Sequence, residues 1–137
     1  MADMKEKGIA LLNSKSVTIG TNSNATKTIL YTVPEGKDCI ITEVILRNPS
    51  GTLAGCTDVD FGVGATCATQ AFLNNETGIG DMTATTDFMR LVTSSDDYKV
   101  IDGDDATAAN REFGIYVVAG ATAAAATVTI DVFGYIF

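Results

Sequence analysis

Residues 31 to 51 read YTVPEGKDCIITEVILRNPSG, and how this stretch is read decides the fold. Two runs with a period of two meet at Pro34-Glu35-Gly36, and the second stops at Pro49-Ser50-Gly51. In the first, Ile29, Tyr31 and Val33 alternate with Thr28, Leu30 and Thr32, a pleated pattern rich in β-branched and aromatic side chains. Proline presets φ and glycine supplies the positive φ of a tight turn, so the turn predicts a hairpin whose second strand folds back alongside the first. In that second run, from Asp38 to Asn48, the alternation puts Ile40, Thr42, Val44 and Leu46 on a core face. Ile41, Glu43, Ile45 and Arg47 take the other face, where two charges flank an isoleucine. Such a mixed face is either partly solvated or covered by a partner that tolerates charge, such as a neighbouring subunit.

The same period recurs outward from this stretch. Thr57 to Gly62 predicts a short strand with Val59 and Phe61 inward and Asp58 and Asp60 outward. From Gly62 to Thr86 the chain is rich in Gly, Thr, Ala and Asn, with Phe72, Leu73, Ile79 and Met82 as anchors, which reads as loops and short strands across one end. Phe88 to Val92 fits a strand or one helical turn equally well, whereas Tyr98 to Ile101 reads as a strand that runs into the acidic turn Asp102-Gly103-Asp104-Asp105. Glu112 to Val118 and Thr127 to Phe137 complete the set, the last alternating Val128, Ile130 and Val132 against Thr129, Asp131 and Phe133. Gly134 inside that strand predicts a bulge or a close backbone contact. Strands at this density without a sustained helical period predict an all-β protein, an antiparallel sandwich of the jelly-roll type with about eight strands. The expected organisation is a loosely attached arm over residues 1–15 and a single sandwich domain over residues 16–137.

Composition narrows the function classes. The 137 residues fit one domain with a core of its own, 46% being apolar and 19% charged. No apolar run approaches the roughly 20 residues of a membrane span, and the four apolar residues Ile9 to Leu12 fall short of a signal-peptide core. A net charge of −8 argues against a nucleic-acid partner, and Lys5, Lys7 and Lys15 lack the interleaved aromatics of a binding arm. With no histidine in the chain, the Ser-His, Cys-His and His-metal designs fall away together, so no enzyme activity is expected. Asp58 and Asp60 read as a solvated strand face rather than a catalytic carboxylate pair. Asp96, Asp97, Asp102, Asp104 and Asp105 supply oxygen ligands of the type calcium takes, but the spacing completes no EF-hand loop, and a polar turn is the simpler reading. Cys39, Cys56 and Cys67 form no CxxC pattern and are odd in number, as expected in a reducing compartment, with Cys39 read as a small buried apolar residue. No cofactor and no metal site is expected.

The hairpin TILYTVPEGKDCIITEVILRNPSG, then TDVDFG, SDDYKVID and the terminal YVVAGATAAAATVTIDVFGYIF resemble small β-sandwich proteins of tailed bacteriophages and prophages, over roughly residues 28 to 137. The resemblance rests on turn chemistry and strand ends, and it carries over no catalytic residue. It implies a virion structural protein, made in the host cytoplasm: a capsid decoration or cement protein, commonly a homotrimer on jelly-roll folds, with itself and the phage capsid protein as partners. The alternative it leaves open is a receptor- or carbohydrate-binding module of a fibre or tail, which requires a groove lined by exposed Tyr and Asp. Glu43, Ile45, Arg47 and Phe137 are the expected oligomer or capsid contacts.

Overall fold

The computed structural model describes residues 8–21, 26–93, 99–121 and 124–137. Lys5, Lys7, Asp96, Asp97 and Tyr98, considered above, lie outside the described residues. Among those described, the strands are β1 (Ala10–Ile19), β2 (Thr28–Thr32), β3 (Asp38–Arg47), β4 (Asp58–Val63), β5 (Thr69–Glu76), β6 (Phe88–Val92), β7 (Val100–Asp102), β8 (Glu112–Ala119) and β9 (Ala126–Ile136). Short 3-10 helices, Gly78–Asp81 and Ala108–Arg111, join β5 to β6 and β7 to β8.

The strands form two antiparallel sheets, one in the order β1-β9-β3-β6 and the other β2-β8-β4-β5. This is the interleaved order of a jelly roll. Its sixth strand is broken in two: β6 pairs with Glu43–Arg47 and β7 with Asp38–Ile40, one after the other along the same edge of β3. The all-β sandwich expected from the sequence is therefore present, with one of its eight strands divided.

Between the sheets lies a core built by alternation. Val17 and Ile19 of β1, Val44 and Leu46 of β3, and Val128, Ile130 and Val132 of β9 face Val59 and Phe61 of β4 and Phe113, Ile115 and Val117 of β8. Burying an aliphatic or phenyl side chain of this kind stabilises by roughly 1.5–3 kcal/mol. Phe72 meets Phe113 edge to face, with ring centroids 5.9 Å apart at 85°, the arrangement that ring quadrupoles favour.

Three expectations are corrected. First, β2 and β3 do not form a hairpin. Both edges of β3 are taken, by β9 on one side and by β6 and β7 on the other, while β2 pairs with β8 in the opposite sheet. The Pro34 to Lys37 turn, closed by Lys37 N–H donating to Pro34 O at 3.1 Å with Gly36 at φ 74°, is a corner between sheets. Second, the inner face of β3 changes parity. Thr42 is an extra residue in the β3–β9 register between Ile41, opposite Gly134, and Glu43, opposite Phe133. Cys39 and Ile41 thus join Val44 and Leu46 in the core, and Ile40 turns outward. A bulge of one residue exchanges the two faces of everything beyond it. Third, Ala10 to Lys15, read as part of an arm, belong to β1 and pair with β9. Asn13 and Lys15 reach across the sandwich, donating to Leu30 O at 2.6 Å and Ile29 O at 2.9 Å. They occupy carbonyls on the free edge of β2, which would otherwise invite pairing with another chain.

Candidate interaction face

The face of the β1-β9-β3-β6 sheet that points away from the core is where the expected contact residues lie. Residues directly opposite across antiparallel strands point to the same side. The register therefore places Ser14, Asp131, Ile45 and Arg90 in one row, Leu11, Phe133, Glu43 and Val92 in the next, and Tyr135, Ile40 and Val100 beyond. Arg47 and Phe88 stand side by side in the row on the other side of Ile45.

Ile45 is the centre of this pattern. Arg47 and Glu43 flank it along β3, with Asp131 and Arg90 beside it on the neighbouring strands. The four charges form two ion pairs. Arg47 donates through Nε to Asp131 Oδ2 at 2.7 Å and through Nη2 to Asp131 Oδ1 at 3.3 Å, and Arg90 donates to Glu43. Ser14 Oγ donates to Asp131 Oδ1 at 2.6 Å, so a single carboxylate, 8% exposed, ties together β1, β9 and β3. The Arg47 hydrogen bonds hold the Asp131 carboxyl below the usual carboxylate range, assisted by Ser14 and opposed by burial. Because the folded-state pKa is depressed, this contribution to stability is present above the unfolded-state value of 3.8 and is lost as pH falls through the folded value. Asp131→Asn is expected to lower Tm by about 5 °C at neutral pH. Scanning calorimetry across pH should show that gap closing below about pH 3.8.

Around these pairs the face is apolar and open. Phe88 is 73% exposed and Leu11 54%, with Val92 and Val100 also exposed. Of the four residues expected as contacts, the structure brings Glu43, Ile45 and Arg47 together here. Phe137 lies at the far end of the same sheet, exchanging backbone hydrogen bonds with Asp38 (2.8 and 3.0 Å) and remaining partly exposed. The sequence reading missed Asp131, Arg90, Phe88 and Ser14. The alternation of β9 marks Asp131 as outward, but only the strand order sets it beside Arg47.

Other candidates resolve into structural roles. Asp102 Oδ1 accepts from Asp104 N–H, Asp104 Oδ1 from Gly36 N–H and Asp105 Oδ1 from Thr107 N–H, so this acidic segment braces the turn between β2 and β3. Among the described residues, no group of three or more His, Cys, Asp or Glu is placed to hold a metal ion. The three cysteines are free thiols in the core, and burial pushes Cys39 up to about 12 and Cys56 and Cys67 up to about 11. Thiolate is the reactive form. An aromatic disulfide reagent at mildly alkaline pH should therefore modify native protein slowly and release all three thiols once it is denatured. A groove of about 330 Å³ is lined by Gly8, Ala10, Leu12, Lys37, Gly134 and Ile136. Among the described residues its lining has neither the tyrosine nor the aspartate that a sugar-binding groove of the kind considered above requires. No helix among the described residues is long and apolar enough to cross a membrane.

No protein-family model matches the sequence, and no curated protein sequence matches it. Among solved structures, the fold is similar to a chain of the cyanophage Pam1 capsid asymmetric unit, with a TM-score of 0.53 and 16% identity over 93% of this chain and 84% of that one. At that identity the likeness is one of fold, and it extends over nearly the whole jelly roll.

Proposed function

We propose that this chain is a non-enzymatic structural protein of a tailed-phage or prophage virion, a decoration or cement protein that stabilises the head as a homo-oligomer, with a trimer as the expected state. The observation that carries this reading is the match of its jelly-roll fold, over 93% of its length, to a chain from a phage capsid asymmetric unit. The character of the surface supports it as well. Its most developed feature is a sheet face of apolar side chains around paired charges, suited to adhesion between rigid bodies. Many such weak contacts repeated by symmetry would hold a shell together through avidity.

The test is to purify particles from the strain that encodes the chain, separate heads from tails and quantify their proteins by mass spectrometry. A decoration role requires this chain in the head fraction, at a copy number in fixed ratio to the shell protein. Recovery with tails alone would support the fibre or tail module instead, and absence from both fractions would refute a virion role.

A further inference from the structure

We infer that the outward face of the β1-β9-β3-β6 sheet is the contact between copies of this chain, so that its occupant is a second copy. The inference rests on the homo-oligomer of the proposed function and not on the virion.

Its first ground is where the exposed apolar side chains lie. Leu11, Phe88, Val92 and Val100 are among the large hydrophobic residues most open to water, and the strand register gathers all four on this one face. Exposed apolar side chains gathered on one face in this way mark it for interaction.

The second ground is charge, and it selects the occupant. The chain carries −8, so two copies repel one another over most orientations. The centre of this face is different. Arg47 and Arg90 are matched by Asp131 and Glu43, and the two signs take opposite sides of Ile45, the arginines towards one end of β3 and β6 and the carboxylates towards β9 and the other end of β3. Such a face is complementary to itself, because the arginine side of one copy can meet the carboxylate side of the next, an arrangement that a ring of three copies closes. At this cluster a strongly basic partner would find no net field to attract it, Asp38 and Asp102 lying at the far end of the sheet, and a strongly acidic one would meet the same repulsion as elsewhere on the chain. The ion pairs also hold the four long side chains in place before contact, which reduces the ordering cost of association.

Light scattering at two protein concentrations tests this on the wild type, on Phe88→Asp and Val92→Asp, and on Val118→Asp as a control from the exposed side of β8 in the other sheet. Both face substitutions sit at exposed positions, and far-UV circular dichroism checks that each variant keeps the sandwich. The expected result is a wild-type mass that is a multiple of 14.3 kDa, a fall to 14.3 kDa in both face variants and the wild-type mass in Val118→Asp. A monomeric wild type would overturn the inference, as would face variants that keep the wild-type mass or a control that also dissociates. A face-dependent oligomer that is missing from particles would leave this inference standing and remove the virion role.

Discussion

Gly134→Ala is expected to cost about 3 kcal/mol or more, an unusually large effect for the addition of one methyl group. A Cβ at this position would lie 2.2 Å from the Ile40 carbonyl oxygen and 3.1 Å from its carbon, which is backbone of the paired strand and cannot rotate away. The crowding follows from the Thr42 bulge, which bows β3 towards β9 where Ile41 faces Gly134. Relief would require β3 and β9 to separate at the middle of their sheet, disturbing Val44 and Val132 below and the charged pairs above. Urea unfolding monitored by circular dichroism gives the loss directly. Gly36→Ala is the comparison: there φ is 74° but nothing lies within 4 Å, so only local strain of about 1 kcal/mol is expected. Equal losses at the two sites would show that close approach of the strands is not what requires glycine at 134.

Phe113→Ala is expected to cost about 3–5 kcal/mol, enough to bring a domain of ordinary stability close to the unfolding threshold at room temperature. Phe113 is 1% exposed on β8, a central strand of its sheet. It pairs across the strands with Tyr31 of β2 and meets Phe72 of β5 edge to face. Truncation removes the phenyl group's burial, its contact with Phe72 and the support of a core whose two sheets cannot collapse into the space without distorting their hydrogen bonds. Phe113→Leu retains most of the volume and should recover at least half of the loss in the same urea experiment. A loss under about 1 kcal/mol for the alanine variant would mean that the core repacks around it, contrary to the rigid sandwich described here.

Much of this architecture is legible in the sequence because a period of two survives without knowledge of partners. Val59 and Phe61, or Val128, Ile130 and Val132, alternate with polar residues whatever strand lies beside them, and they are core in the structure. What the alternation cannot contain is pairing. The turn at Pro34 to Lys37 has the chemistry of a hairpin, yet a corner between sheets requires the same reversal, and only the distant strands β8 and β9 decide between the two. Nor does alternation reveal a bulge, since Ile40 and Ile41 are equally apolar and the extra residue at Thr42 selects which of them is buried. Gly134 was the visible trace of that bulge, on the opposite strand. Residues 10–15 escaped detection because Asn13 and Lys15 sit where a strand facing the core ordinarily carries apolar groups, and they are there to reach the β2 carbonyls.

The candidate face was half legible for the same reason. Glu43, Ile45 and Arg47 stand out within a single strand. Their partners Asp131 and Arg90 lie 84 and 47 residues away from Arg47 and Glu43, respectively, and come into view only with the register.

The most direct measurement is an electron cryo-microscopy reconstruction of the purified head from the strain that encodes this chain, at a resolution that separates strands. The expected map contains this jelly roll on the shell, with the face bearing Ile45 and Phe88 covered by a neighbouring copy. A head without this density, or one in which that face is open to solvent, would contradict the assignment of the chain as a virion protein that assembles through its β1-β9-β3-β6 sheet.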